Sequence, residues 1–232
     1  MSVETKKTDV NKFSYREPKF YNVWRRIFLF LVTHVFYMIR FKLVYRLEVY
    51  GRENIPKDNK YIVAANHLST LDPPLMCAVM DRGVAYMAKK ELFETKFMQW
   101  VLPKLAAFSV NREKLEVSTI KTVRDVMKTK DWNLCIFPQG GIFKNKKIEK
   151  INRGFIVIAK MSKIDILPMS ITGTEKYNWI PLQGRLDIKI GKPISWQLPD
   201  EEIFEQWAEQ VSSMANYEYV KEETSEKSLV TK

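Results

Sequence analysis

The chain holds only two histidines, His34 and His67, and only His67 has polar neighbours, in the run Asn66-His67-Leu68-Ser69-Thr70-Leu71-Asp72. A histidine and an aspartate five residues apart on a turn can approach each other. An aspartate that holds one imidazole nitrogen as a donor leaves the other as a base for a hydroxyl or a thiol, the orienting logic of acid-base triads. The same residues carry a plainer reading. Asp72 ahead of Pro73-Pro74 is a good helix N-cap with proline in the first turn, and His67 is then an ordinary turn residue.

The elements around the pair separate these readings. Residues 61–65, Tyr-Ile-Val-Ala-Ala, read as a buried strand, and an apolar run follows Asp72, so 66–72 is a strand-to-helix turn. A brief apolar strand at 108–110 delivers Asn111-Arg112. Another, 133–137, ends at Pro138-Gln139-Gly140-Gly141, a glycine turn able to bring backbone N–H groups close to an oxygen, with a basic loop (Lys144, Lys146, Lys147) after it. Further strands are predicted over 43–50, 84–87, 164–171 and 185–190. Helices are predicted over 73–80, 97–105 (broken by Pro103), 113–130, 154–161 and 202–219. Strand and helix alternate, which predicts a single α/β domain with a mostly parallel or mixed central sheet flanked by helices. In such folds sites gather at the carboxyl ends of strands, where His67, Arg112 and Gly140-Gly141 all fall.

At 232 residues and 46% hydrophobic the chain suits one well-cored domain with appendages. We divide it into an N-terminal arm and membrane-associating helical segment (1–43), an α/β domain (44–198), and an acidic helix with a disordered tail (199–232). The net charge of +11 is uneven: residues 200–232 hold nine acids and three bases, leaving +17 on residues 1–199. Such a surface seeks anionic partners, whether nucleic acid, an anionic bilayer or phosphorylated small molecules. No helix-turn-helix, zinc or RNP-like signature supports nucleic acid. Cys77 and Cys135 give neither a disulfide framework nor a metal set, so no metal is expected.

Residues 1–19 read as a loosely ordered arm. Residues 27–39, IFLFLVTHVFYMI, are apolar apart from Thr33 and His34 and have Arg and Lys at both ends. Thirteen helical residues rise ~20 Å against a ~30 Å hydrocarbon core, so a spanning helix fits poorly. A helix lying in the bilayer interface fits well, with its basic side chains reaching head groups. A buried core helix is the alternative. His34 is given no function.

Taken together, these motifs resemble the glycerolipid acyltransferase family, best known for the 1-acylglycerol-3-phosphate acyltransferases. The family's first block, Asn-His, four residues and Asp, stands as NHLSTLD. The Lys-Lys-Glu-Leu stretch is Lys89-Lys90-Glu91-Leu92, and the second block is matched by LAAFSVNR, residues 105–112. The third block, normally Phe-Pro-Glu-Gly-Thr-Arg, stands as Phe137-Pro138-Gln139-Gly140-Gly141-Ile142. Arg153-Gly154-Phe155 and a strand with Ile166-Leu167-Pro168 complete the order over roughly residues 44–192.

The resemblance implies His67 as general base, oriented by Asp72, and an acyl-CoA or acyl-carrier protein as donor with no cofactor. It implies a lysolipid acceptor bound among Asn66, Lys89, Arg112, Pro138, Gln139, Gly140, Gly141 and Arg153. Arg112 is the first candidate for phosphate, because guanidinium matches phosphate oxygens bidentately. Backbone N–H groups near Gly140-Gly141 would stabilise the oxyanion. The implied location is the cytoplasmic face of the membrane, held peripherally. The departures are Gln139 for Glu, Gly141 for Thr, Ile142 for a phosphate-binding Arg, and Ala106 for a glycine. They admit a different lysophospholipid or glycolipid acceptor. A non-catalytic basic module binding membrane or nucleic acid is the reading of another class.

Overall fold

The computed structural model describes residues 13–57, 60–80, 82–111, 116–176 and 184–221. Seven strands form one sheet: β1 (Glu48–Tyr50), β2 (Tyr61–Ala65), β3 (Gly83–Lys89), β4 (Ala107–Val110), β5 (Trp132–Ile136), β7 (Asp165–Thr172) and β8 (Asp187–Ile190), in the order β1-β8-β7-β2-β5-β3-β4. The short strands β6 (Lys147–Ile148) and β9 (Glu218–Tyr219) form a separate ribbon. The five strands β7-β2-β5-β3-β4 are parallel, while β8 runs antiparallel to β7 and carries β1 with it. The sheet is therefore mixed. Every residue of β2 and β5 is buried, as expected of central parallel strands covered on both faces.

The connections fix where a site forms. From β2 the chain crosses rightward to β3 through α3 (Asp72–Val79), and α4 (Lys96–Lys104) then leads to the edge strand β4. From β4 it crosses leftward through α5 (Val117–Lys128) to β5, and through α6 (Gly154–Ser162) to β7. Right-handed crossovers in opposite directions put α3 on one face and α5 and α6 on the other. The chains leaving β2 and β5 thus part to opposite faces, and the crevice between their carboxyl ends is a topological switch point.

The N-terminal region is longer and more integrated than its sequence pattern predicts. Helix runs without a break through α1 (Val23–Phe30), a π-helical stretch (Leu31–Met38) and α2 (Ile39–Tyr45). The strand expected over 43–50 shrinks to β1, because Phe41 and Tyr45 are buried at helical spacing and Arg46 ends the helix at φ +51°. The arm is not loose from residue 13 onward. Phe13 and Tyr21 are buried, and Ser14 and Arg16 are hydrogen-bonded to Ser118 and Thr122 of α5. No helix among the described residues is long and apolar enough to cross a membrane.

At the other end, α7 (Asp200–Ala215) is part of the core. It buries Ile203, Trp207, Ala208 and Val211, and the Trp207 indole donates to the Ala64 carbonyl at 3.0 Å. Ala106, where the resembled family has glycine, sits beyond the last turn of α4 at φ +65°, a left-handed conformation natural to glycine and strained for alanine.

Candidate active site

His67 and Asp72 meet at the end of β2. Asp72 is fully buried, and its carboxylate turns back over the loop that precedes α3. Oδ2 lies 2.8 Å from His67 Nδ1 and accepts the Leu68 and Ser69 N–H groups at 2.7 and 2.8 Å. Oδ1 accepts the Thr174 hydroxyl at 2.7 Å. A carboxylate out of water is costly unless its oxygens are met by donors, and here four meet them. Leu71 occupies the N-cap position of α3 and makes no side-chain cap, so the carboxylate orients the loop rather than capping the helix. An oxygen already accepting two N–H groups has only acceptor capacity to offer Nδ1, which leaves the imidazole lone pair on Nε2.

The rest of the histidine's setting comes from the β5 end. The His67 ring stacks on Phe137, with centroids 4.2 Å apart and planes 21° apart, and its side chain is 12% exposed. The Phe143 N–H donates to the His67 carbonyl at 2.9 Å, stitching the third-block loop to the histidine turn. Phe137 also lines a cleft of about 510 Å³ whose walls include Met87, Val110, Ile136, Phe155 and Ile158. Asn111, Asn152 and Arg153 add polar side chains to its lining, with Pro138 and Gly140 between them.

Several expected binding residues have other tasks. Asn66 is fully buried and uses both ends of its amide on one residue of β7, donating to the Ile171 carbonyl at 2.9 Å and accepting its N–H at 2.7 Å. It extends the β2-β7 ladder where the backbone of β2 turns away, and is not presented to a ligand. Gln139 is also buried, and its amide donates to the Lys147 and Glu149 carbonyls at 3.2 and 3.3 Å. Two carbonyl oxygens call for a donor, which an ionised glutamate would not supply. The Gly140 N–H donates to the Phe137 carbonyl at 2.9 Å, so that donor is held within the turn and not aimed at a reacting oxygen. Gly140 stands at φ +67°, and a Cβ there would lie 2.8 Å from Asn152 Nδ2.

The cations are unevenly placed. Arg153 lines the cleft but makes a bidentate pair with Glu201 of α7 at 2.6 and 2.8 Å, over the Phe204 ring. Lys89 ends β3, exposed and 3.7 Å from Glu91. Arg112 lies outside the described residues, directly after Asn111 of the cleft lining in the sequence. The Pro138 carbonyl accepts both Asn152 nitrogens, at 2.8 Å from the backbone and 3.1 Å from the side chain.

Thr174 carries no sequence motif, although it follows the end of β7 on the same sheet edge. Removing its hydroxyl leaves a buried carboxylate oxygen unmet, worth about 1.5–3 kcal/mol for a bond to a charged group. Thr174→Val should lower the melting temperature and reduce turnover by about tenfold or more, and Thr174→Ser should restore both. Turnover equal to wild type in the valine variant would count against a positioning role.

This geometry can be set beside known proteins. The acyltransferase family profile matches residues 46–172. The 1-acyl-sn-glycerol-3-phosphate acyltransferase of Bacillus subtilis is 32% identical over 149 residues, 64% of this chain and 73% of that protein. The protein of the same name from Streptococcus pneumoniae is 33% identical over 147 residues, 62% of this chain but only 54% of its own length. This chain thus spans about half of one of these relatives and about three quarters of the other. The fold matches the crystal structure of the 1-acyl-sn-glycerophosphate acyltransferase PlsC from Thermotoga maritima, with a TM-score of 0.63 over 86% of this chain and 96% of that one, at 22% identity. Because the profile runs unbroken from the helix end before β1 to the last residue of β7, more than half the chain, this protein belongs to the acyltransferase family.

Proposed function

We propose that this protein transfers an acyl chain from a thioester donor, acyl-CoA or acyl-carrier protein, to the free hydroxyl of 1-acylglycerol-3-phosphate, giving phosphatidate. The reading is carried by the histidine whose Nδ1 is held by a buried, four-donor carboxylate. Nε2 of His67 takes the acceptor's hydroxyl proton as that oxygen attacks the thioester carbonyl carbon. Collapse of the tetrahedral intermediate breaks the C–S bond, and the imidazolium returns its proton to the departing thiolate. Asp72 stabilises the imidazolium between these steps. With the Gly140 N–H engaged in its turn, we assign oxyanion stabilisation to the Gly141 N–H, a contribution of about 3 kcal/mol where such donors have been removed elsewhere.

The apolar walls of the cleft suit an acyl chain, and Arg112, which follows Asn111 of the cleft lining in the sequence, suits the phosphate by its guanidinium chemistry. No cofactor is needed. The bilayer supplies the lipid substrates. Trp24, Ile27, Phe28, Leu31, Val35 and Ile39 recur at helical spacing and are all exposed, an outward apolar stripe that fits one leaflet's interface. The contact is peripheral, on the cytoplasmic face where the thioester donors are. Because Phe13, Tyr21, Leu29 and Phe41 belong to the core, deleting residues 1–42 would damage the fold, and serine substitutions along the stripe are the cleaner probe.

One observation favours a second reading of the acceptor. Ile142 is 43% exposed where the resembled family has its arginine, and Arg153 is paired with Glu201, so one cation of the family's third block is absent and a second candidate is engaged. A lysolipid without a phosphomonoester fits that loss. The purified full chain should be incubated with acyl-CoA or acyl-carrier protein and a panel of lysolipids, and the product identified by mass. Phosphatidate as the main product, with Arg112→Ala raising KM most for phosphomonoester acceptors, supports the first reading. Acylation of other lysolipids alone supports the second, and no acylation of any acceptor overturns both.

A further inference from the structure

A second apolar surface lies outside the N-terminal stripe. Helix α4, KFMQWVLPK, has no fully buried residue. Leu102 and Leu105 pack against the core, while Phe97 and Trp100, one turn apart on the other face, are 67% and 60% exposed. Leu92, in the turn just before the helix, is exposed as well. Aromatic side chains left in water in this way mark a contact surface.

We propose that the outer face of α4 is a second membrane-contact site that inserts Phe97 and Trp100 into the interface of an anionic bilayer. Charge complementarity argues for this partner. The helix contains no acid and has a lysine at each end, and Lys104 Nζ sits 3.4 Å from the Trp100 ring centroid. An aromatic body with a cation at its rim is the pattern of a side-chain pair at head-group level. The acids nearest in sequence, Glu91 and Glu94, precede the helix, and Glu91 pairs with Lys89. The contact is therefore centred on Phe97, Trp100 and Lys104. Continuity with the stripe points the same way. Arg25 of α1 donates to the Pro103 carbonyl at 2.7 Å, tying the first turn of α1 to the last turn of α4. Trp24, 76% exposed, lies on that same first turn. Two helices joined there would seat the domain on the lipid surface at two points and fix its tilt, which a single interfacial helix leaves free to rotate.

The test uses the full chain and sedimentation with vesicles of phosphatidylcholine alone or mixed with phosphatidylglycerol. Phe97→Ser/Trp100→Ser should reduce partitioning into the mixed vesicles by at least about tenfold, the factor expected of one buried aromatic side chain. Its thermal unfolding should match wild type, because both residues are exposed. Lys96→Gln/Lys104→Gln should lose affinity for the mixed vesicles but not for phosphatidylcholine alone. An Ile27→Ser/Leu31→Ser variant reports separately on the N-terminal stripe, so that reading can fail without this one. Wild-type partitioning by the Phe97/Trp100 variant overturns the proposal. So does a self-associated wild type that this variant converts to monomer, since a second copy would then be the occupant.

Discussion

His67→Ala should lower kcat for acyl transfer by about 10³-fold or more, the loss expected when a general base is removed from a site that otherwise keeps its donors. The fold should survive. The His67 carbonyl still accepts the Phe143 N–H, Asp72 keeps the Leu68, Ser69 and Thr174 donors, and the lost stack on Phe137 is worth about 0.5–1.5 kcal/mol. Vesicle binding should also be unchanged, because the side chains assigned to membrane contact lie on the N-terminal helix from α1 to α2 and on α4, away from His67 in sequence. The informative measurement is therefore turnover on a variant whose melting temperature and lipid partitioning match wild type. Turnover within a few-fold of wild type would remove His67 from the mechanism, whatever its geometry.

Much of this was legible because central strands and strand-end turns write themselves plainly in sequence. The runs at 61–65 and 134–137 are apolar without alternation, as strands buried on both faces must be, and they fall in or beside β2 and β5. The region before residue 48 was less legible for a physical reason. Residues 43–50 alternate well enough for a strand, but Phe41 and Tyr45 bury one face of a helix, and tertiary packing outweighed the local pattern. The antiparallel direction of β8 is likewise set by how the chain returns, and no local property of residues 185–190 encodes it.

Within the site, residue type predicted chemistry better than it predicted direction. Asn66 and Gln139 carry amides beside the histidine turn and the glycine turn, so a ligand-facing role was reasonable from sequence. Both amides instead satisfy backbone groups that the turning strands leave open, Asn66 on Ile171 and Gln139 on Lys147 and Glu149. Arg153 reads as a phosphate ligand until α7 folds Glu201 against it. No local pattern marks Thr174, because it stands 102 residues from Asp72 and meets it only through the pairing of β7 with β2. The signal that would have found it is general: every parallel strand of the central block ends at the same edge, so the first hydroxyl after β7 belongs beside the first carboxylate after β2.

The carboxylate gives the second large effect, and it separates positioning from chemistry. In Asp72→Asn the amide oxygen can replace Oδ2, still accepting from Leu68, Ser69 and His67 Nδ1. The amide nitrogen then replaces Oδ1 and faces the Thr174 hydroxyl, which can rotate to accept. Hydrogen-bond count is nearly conserved, and the charge opposite the imidazolium is gone. If Asp72 acts through that charge, kcat should fall by about 10³ to 10⁴-fold with KM for donor and acceptor little changed. If the amide adopts the other orientation, its NH₂ meets the two backbone N–H groups, and a loss of melting temperature will report the clash. A purely structural aspartate would behave differently: Asp72→Asn and Thr174→Val would lose stability in proportion to the bonds broken, and the molecules that remain folded would turn over at the wild-type rate. Turnover per folded molecule, measured in both variants on the same lysolipid, decides between a carboxylate that holds the loop and one that also serves the proton transfer.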